Sequence, residues 1–188
     1  RGRSVSVLFL TIGLFNQYVS ALSSAIPALR YLIVGGDVLD PKIIGQVCRE
    51  HPPSHFLSAY GPTETTTFAT TYELESLKPG MSVPLGRPIG NTQIYVLNAR
   101  QQPLPVGVAG EIYIGGPGVA FGYLNRPELT DERFLPDPFR PAPRARIYKT
   151  GDMGRWLPDG IVEFLGRDDH QVKIRGFRVE LGEIEARL

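Results

Sequence analysis

Twenty-one glycines and 17 prolines in a chain of 188 residues constrain the fold more than any other feature. Together they make up roughly a fifth of the sequence, against about 12% in an average protein. Glycine supplies backbone conformations that other residues avoid, and proline fixes φ and removes a donor. The chain must therefore turn often, and its helices must be short. An all-helical bundle is excluded. The rest is ordinary for a folded chain: 42% hydrophobic and 21% charged residues rule out disorder and collagen, and the length allows one or two compact domains. Lys and Arg number 20 against 19 Asp and Glu, a net charge of +1. No broad field draws the surface to nucleic acid or to an anionic membrane, although a local phosphate site stays open. The one cysteine, Cys48, forms no internal disulfide and nothing asks for an oxidising compartment, so a cytoplasmic location is expected.

Residues 1–25 imitate a secretory signal, with basic RGR, an apolar run and then small residues. The alternation Ser4-Val5-Ser6-Val7 instead fits a strand, and no run reaches the ~18 apolar residues of a membrane span. At the other end Leu181, Ile184 and Leu188 mark one face of a helix, with Glu183 and Arg187 paired at i,i+4. That helix has no cap, and the expectation is a fragment of something longer.

Residues 1–82 alternate strand and helix: strands over 5–9, 31–34 and 55–58, helices near 15–21 and over 41–49, and a short helix from Thr63. Such alternation predicts an α/β fold with a parallel sheet. After Lys78-Pro79-Gly80 the text changes to short β runs (93–97, 111–114, 147–149, 162–165) separated by Pro and Gly turns, which predicts a small antiparallel barrel over 83–166. A third piece, 167–188, opens with two strands, 171–175 and 177–180, around Gly176.

The densest chemical signal is the run SAYGPTETT from Ser58 to Thr66, at the carboxyl end of a predicted strand, where open α/β sheets bind ligands. Tyr60 offers a flat face to a base, Thr63 a hydroxyl to a phosphate held at a helix N-terminus, and Glu64 a hard carboxylate to Mg²⁺. A capped turn, with Thr63 as N-cap, explains the same residues. Asp152 in Tyr148-Lys149-Thr150-Gly151-Asp152 follows a strand and a tight turn, and its two oxygens suit the hydroxyls of a ribose; a bare Gly-Asp turn is the alternative. Gly166-Arg167-Asp168-Asp169-His170 is either a solvated linker or the hinge of an enzyme that closes. The Gly-rich run 115–122 does not fit GxGxxG and reads as a structural turn. His51 and His55 are separated by Pro52-Pro53 and cannot share a helical face for zinc.

Taken in order, GGD (35–37), SAYGPTETTT (58–67), GEIYIGGPGVAFGYLNRPELT (110–130), YKTGDMGRWLPDG (148–160) and GRDDHQVKIRGFRVELGEIEARL (166–188) resemble the adenylation domain of nonribosomal peptide synthetases. The resemblance covers nearly the whole chain. It implies activation of an amino acid with Mg·ATP, release of pyrophosphate, and transfer of the aminoacyl group to the phosphopantetheine thiol of a peptidyl carrier protein. A condensation domain would be a further partner, and 124–139 matches the region where MbtH-like helpers bind in some systems. The fold implied is the end of a large layered α/β subdomain, a β-barrel-like subdomain, and the first hairpin of a mobile C-terminal lid.

Carried over residue by residue, the resemblance implies that Tyr60 stacks on adenine, Thr63 touches phosphate and Glu64 helps to hold magnesium. Gly36 and Asp37 line the adenine pocket, with Ser58, Ala59 and Gly61 in the same nucleotide-binding set. Asp152 and Arg167 hold the ribose, and Phe164 packs beside the nucleoside. Asp169 is the hinge, and Lys173 lies on the hairpin that swings in for thiolation. Ser58 departs from the family's usual Asn, so a shorter hydroxyl stands where an amide contacts the adenine edge. Leu14, Ile33, Gly35, Ala59, Thr67 and Phe68 match the substrate pocket. None is ionised, and an unpaired buried ion costs several kcal/mol, so a small aliphatic substrate, valine or isoleucine, is expected. The family's phosphate loop, its substrate-binding Asp and its C-terminal catalytic Lys have no match here, and no adenylate formation by these residues alone is expected. An acyl-CoA ligase, or a non-catalytic nucleotide-binding or docking module, remains the alternative. Pro62 and the ending QVKIRGFRVELGEIE favour the peptide-synthetase branch.

Overall fold

A computed structural model describes residues 5–74, 82–140, 142–168, 171–174 and 177–180. They fall into two compact units: residues up to Ala59 with 71–84 and the segment after 170, and residues 60–70 with 85–168.

The first unit is α/β. Strands β1 (Val7–Thr11), β2 (Tyr31–Gly35) and β3 (His55–Tyr60) run parallel, pairing Val7 with Tyr31 through Thr11 with Gly35, and Tyr31 with His55 through Gly35 with Ala59. Parallel neighbours need crossovers, which are supplied by helices α1 (Ile12–Leu22) and α2 (Pro41–Glu50). The start of α2 is written locally: Pro41 takes the first helical position, and the Asp40 side chain accepts from the Lys42 N–H at 2.8 Å. Phe15 and Ile12 of α1 and Ile44 and Val47 of α2 bury one stripe each against Leu32 and Phe56 of the sheet. Strand β4 (Thr70–Glu73) brings Glu73 to the Phe56 N–H, which donates to its Oε1 at 3.0 Å.

In the second unit, β5 (Arg87–Pro88) precedes an antiparallel sheet ordered β10-β9-β7-β6, with β8 on β9. Its strands are β6 (Gln93–Leu97), β7 (Gly110–Gly115), β8 (Phe134–Pro136), β9 (Arg146–Trp156) and β10 (Val162–Arg167). Side chains of β7 alternate between two cores, as a pleated strand requires: Ile112 and Ile114 pack with Ile94 and Val162, while Tyr113 packs with Leu97 and Ile147. The sheet is open, and no closed barrel is found among the described residues. Beside β6 the chain offers only an isolated Leu97–Pro103 bridge, and Pro103 and Pro105 lack the N–H groups that would extend a ladder to close it.

Several boundaries moved. Strand β1 lies two residues later than expected, α1 begins at Ile12, and the expected 147–149 strand runs on to Trp156. Helix α3 (Pro127–Arg133) is one the sequence pattern does not announce, because it buries no residue and so shows no apolar stripe. The expected helix from Thr63 is one 3₁₀ turn, Thr63–Thr65. Strands β11 (Gln171–Ile174) and β12 (Phe177–Glu180) form the expected hairpin. The terminal helix expected around Leu181–Leu188 and the hinge position Asp169 lie outside the described residues. Among those described, no helix is long and apolar enough to cross a membrane.

Candidate functional site

Asp152, expected after a strand and a tight turn, sits inside the continuous strand β9. The register explains how it is aimed. Glu111 of β7 pairs with Met153 and Tyr113 with Lys149, so Thr150, Gly151 and Asp152 bulge out opposite Ile112 alone. Gly151 supplies the left-handed φ of 76° that the bulge needs. A bulge forfeits ladder hydrogen bonds, and here side chains replace them. The Thr150 hydroxyl donates to the Ile112 carbonyl at 2.6 Å and accepts from the Asp152 N–H at 2.9 Å. The Gly151 N–H donates to Glu111 Oε1 at 3.0 Å. Strand β10 bulges in turn at Leu165, which places Arg167 directly across from Asp152. Arg167, expected in a linker or hinge, is instead the last residue of strand β10.

The result is a buried cluster. The Arg167 guanidinium pairs with Asp152 Oδ1 and donates to the Thr150 carbonyl at 3.0 Å, while the Tyr60 hydroxyl donates to Asp152 Oδ2. Asp152 is only 5% exposed. Burial first, and the Asp152 charge second, push the Tyr60 phenol well above its ordinary range, so it remains a donor. Phe164 stands half-buried on β10, opposite Gly154. Thus Tyr60 and Arg167, 92 and 15 residues from Asp152 in the chain, converge on its carboxylate.

The neighbouring tyrosines titrate late as well. Tyr113, beside Glu111, and Tyr95, beside Asp137, are each pushed up to about 12, chiefly by burial and then by the carboxylate. Below about pH 10 these phenols are neutral in both folded and unfolded chains. Above it the unfolded chain ionises first and binds fewer protons, so stability falls as pH rises toward the folded value. The urea midpoint is accordingly expected to decline above pH ~10, less steeply in Y113F than in the unchanged protein; identical slopes would refute the assignment.

The second candidate element follows β3. A 3₁₀ turn of three residues carries few aligned peptide dipoles, so no helix N-terminus stands at Thr63 to cradle a phosphate. Thr63 is exposed, Glu64 is 6% exposed, and Thr66 and Thr67 adopt left-handed φ values of 61° and 71°. Glu64 Oε1 accepts from the Tyr123 hydroxyl at 2.6 Å, and its carbonyl accepts from the Ala120 N–H at 2.8 Å. The Thr66 hydroxyl donates to the Gly118 carbonyl at 2.8 Å. The Gly-rich run read as a structural turn is therefore docked on the Thr63–Thr65 turn. Among the described residues no three His, Cys, Asp or Glu gather as a metal site, and His55 stacks on Tyr31 at 4.5 Å. Mg²⁺ nevertheless needs only one or two carboxylates when phosphates and waters complete its shell, and the hard oxygens of Glu64 meet that need.

The other candidates belong to the unit each lies in. In the first, Gly36 has φ 92°, the Asp37 side chain accepts from the Val38 N–H at 2.8 Å, and Ser58 is buried. Gly35 faces Ala59 so closely that a Cβ would overlap the Ala59 carbonyl oxygen. Ile33 is half-buried and Leu14 is 46% exposed. In the second unit, Thr67 is exposed, and Phe68 and Gly61 are half-buried. Lys173 lies on β11, paired with Arg178. Two residues that hold the site were missed, Glu111 and Tyr123. Both stand inside quoted motifs, but their partners lie 40 and 59 residues away.

The family model described as "AMP-binding enzyme" matches residues 3–124. The chain belongs to this family. It is a piece of an adenylation domain of the nonribosomal peptide synthetase kind. Malpibaldin synthetase of Mortierella alpina is 54% identical over 187 residues, and surfactin synthase subunit 2 of Bacillus subtilis is 50% identical over 188. These matches cover 99% and 100% of this chain but 3% and 5% of the relatives. Among solved structures, the artificially fused adenylation–PCP di-domain NpsA-ThdA from Klebsiella oxytoca superimposes with a TM-score of 0.86 at 32% identity, covering 97% of this chain and 34% of that one. PA1221, a nonribosomal peptide synthetase protein containing adenylation and PCP domains, gives 0.83 at 35% identity, covering 97% and 37%. This adenylation fragment thus spans about a third of the matched structures.

Proposed function

We propose that the domain to which this fragment belongs activates an amino acid and passes it to a carrier protein. In the first half-reaction a carboxylate oxygen of the amino acid attacks the α-phosphorus of Mg·ATP. The bond from that phosphorus to the bridging oxygen breaks, and pyrophosphate leaves with the electron pair. In the second, a phosphopantetheine thiolate attacks the carbonyl carbon of the mixed anhydride and AMP leaves. The observation that carries this reading is the bulge-mounted Asp152, oriented by Tyr60 and Arg167. A carboxylate accepts along about four directions, which suits a ribose diol, and the Tyr60 ring supplies a face for adenine beside it. Thr63 meets phosphate. Glu64 holds the magnesium ion, which when bound offsets charge on the phosphates. Gly36, Asp37, Ser58, Ala59 and Gly61 border the base, and Phe164 borders the nucleoside. Asp169 is the hinge of the C-terminal piece, and Lys173 rides on it for thiolation.

Partners follow from the same reading: an amino acid, a peptidyl carrier protein and a condensation domain. An MbtH-like helper would dock on the surface of the segment 124–139, beside the cavity of about 1010 Å³ lined by Phe121, Phe134, Arg140 and Arg146. The uncharged pocket set Leu14, Ile33, Gly35, Ala59, Thr67 and Phe68 supports a small aliphatic side chain. Pyrophosphate exchange by the intact domain is expected to be strongest with valine or isoleucine, although a single methylene separates homologues by only about 1–3 kcal/mol. Strongest exchange with Asp, Lys or Arg would overturn the substrate class, and no amino-acid-dependent exchange at all would overturn the reaction.

A further inference from the structure

Glu64 stands on a support too short to hold it. The 3₁₀ turn ends after three residues, and Thr66 and Thr67 leave it in left-handed conformations. What holds the carboxylate comes from more than 50 residues downstream: the Ala120 N–H on the Glu64 carbonyl, the Gly118 carbonyl on the Thr66 hydroxyl, and the Tyr123 hydroxyl on Glu64 Oε1 at 2.6 Å. Tyr123 is itself locked. Its N–H donates to the Thr130 hydroxyl at 2.9 Å, which donates to the Arg126 carbonyl at 2.8 Å and so ties the residue to α3. Gly122, at φ 141°, leaves room for that Thr130 side chain, which a Cβ would overlap. The Tyr123 ring meets Phe134 edge-on at 5.3 Å, and its hydroxyl lies 3.2 Å from that of Tyr148, a residue 1% exposed. The phenol is pre-set by packing to present its proton at one place, and that place is the carboxylate.

We propose that Tyr123 is a positioning residue for Glu64, pinning the carboxylate in the orientation that receives metal-bound nucleotide. The inference rests on the reading of Glu64 as the carboxylate for Mg·ATP. A donor behind a metal-binding carboxylate restricts its rotamers and fixes which oxygen faces the ion, and losing such a partner typically costs ten- to a hundredfold in metal affinity.

The test uses the intact adenylation domain with Mn²⁺ in place of Mg²⁺, following free Mn²⁺ by electron paramagnetic resonance in the presence of ATP. In Y123F the affinity for Mn·ATP is expected to fall about tenfold, with ATP affinity in EDTA unchanged. E64Q is expected to show at least that loss, and the double variant Y123F/E64Q no more than E64Q alone. Y148F, which leaves the Tyr123 hydroxyl in place, provides a second handle, with a smaller loss in the same direction. Wild-type Mn·ATP affinity in Y123F, alongside a loss in E64Q, overturns the positioning role while leaving the role of Glu64 intact. Wild-type affinity in E64Q sinks both. Equal losses with and without metal reduce Tyr123 to a purely structural part and overturn the proposal.

Discussion

The D152A variant of the intact adenylation domain is expected to lose about 3–5 kcal/mol of stability, together with most of its affinity for nucleotide. The size follows from what the side chain leaves behind. Arg167 is drawn into the bulge by Asp152 and the Thr150 carbonyl, and its side chain is only 15% exposed. Without the carboxylate it becomes a mostly buried charge lacking its counter-ion, and the Tyr60 hydroxyl loses its acceptor. Removing one member of a buried pair costs far more than removing both, because a well-packed apolar pair avoids the desolvation that the lone charge must bear. D152L/R167M is therefore expected to recover most of the stability without recovering nucleotide binding. Urea unfolding and isothermal titration with ATP separate the two effects. Stability within 1 kcal/mol of wild type in D152A would show that the cluster is not holding the β9–β10 bulges together.

The second large effect is expected from G61A. A Cβ at Gly61 would lie 2.6 Å from the Thr67 carbonyl oxygen, 2.7 Å from the Ala69 nitrogen and 3.0 Å from the Phe68 carbonyl carbon. All three are backbone atoms, so no side chain can swing aside. The loop from Thr66 to Ala69 must move, and with it the bond from the Ala69 N–H to the Tyr60 carbonyl at 2.7 Å. Forced overpacking of this kind costs about 1–3 kcal/mol. It also shifts Tyr60, which precedes the glycine, and Glu64, three residues beyond it, so Mg·ATP affinity is expected to fall along with the thermal midpoint. The matched control is G90A, where a Cβ meets nothing within 4 Å and the change should stay within about 0.5 kcal/mol. Equal behaviour of G61A and G90A would show that the loop yields at no cost.

Much of this was legible in the sequence, for a physical reason visible in particular elements. The parallel β1–β2–β3 layer, α2 with Asp40 and Pro41 at its start, and the hairpin of β11 and β12 are all governed by local periods and caps. Nearby residues decide such features, and a linear reading has access to them. Asp152, Tyr60 and Glu64 were singled out because their residue types suit nucleotide chemistry and their motifs follow a family's order. Where the reading failed, the missing term was a partner. The expected barrel closure depended on what lies beside β6, and prolines there stop the ladder. The helix expected at Thr63 ends after one turn, since Thr66 takes a left-handed conformation that no periodicity announces.

The order of the turns, the class of the fold and the family were determined by the sequence itself. Glycine and proline set where the chain must bend, and bends in a given order leave few arrangements for the strands between them. Only the tertiary structure decided how the site is held. It made the Thr150–Asp152 segment a bulge inside a strand, brought Glu111 to the Gly151 N–H, set Arg167 across from Asp152, and laid Tyr123 against Glu64. Each of these depends on strand register or on a hydrogen bond between residues far apart in the chain. Such contacts form only when both segments are already placed, so neither segment carries the signal alone.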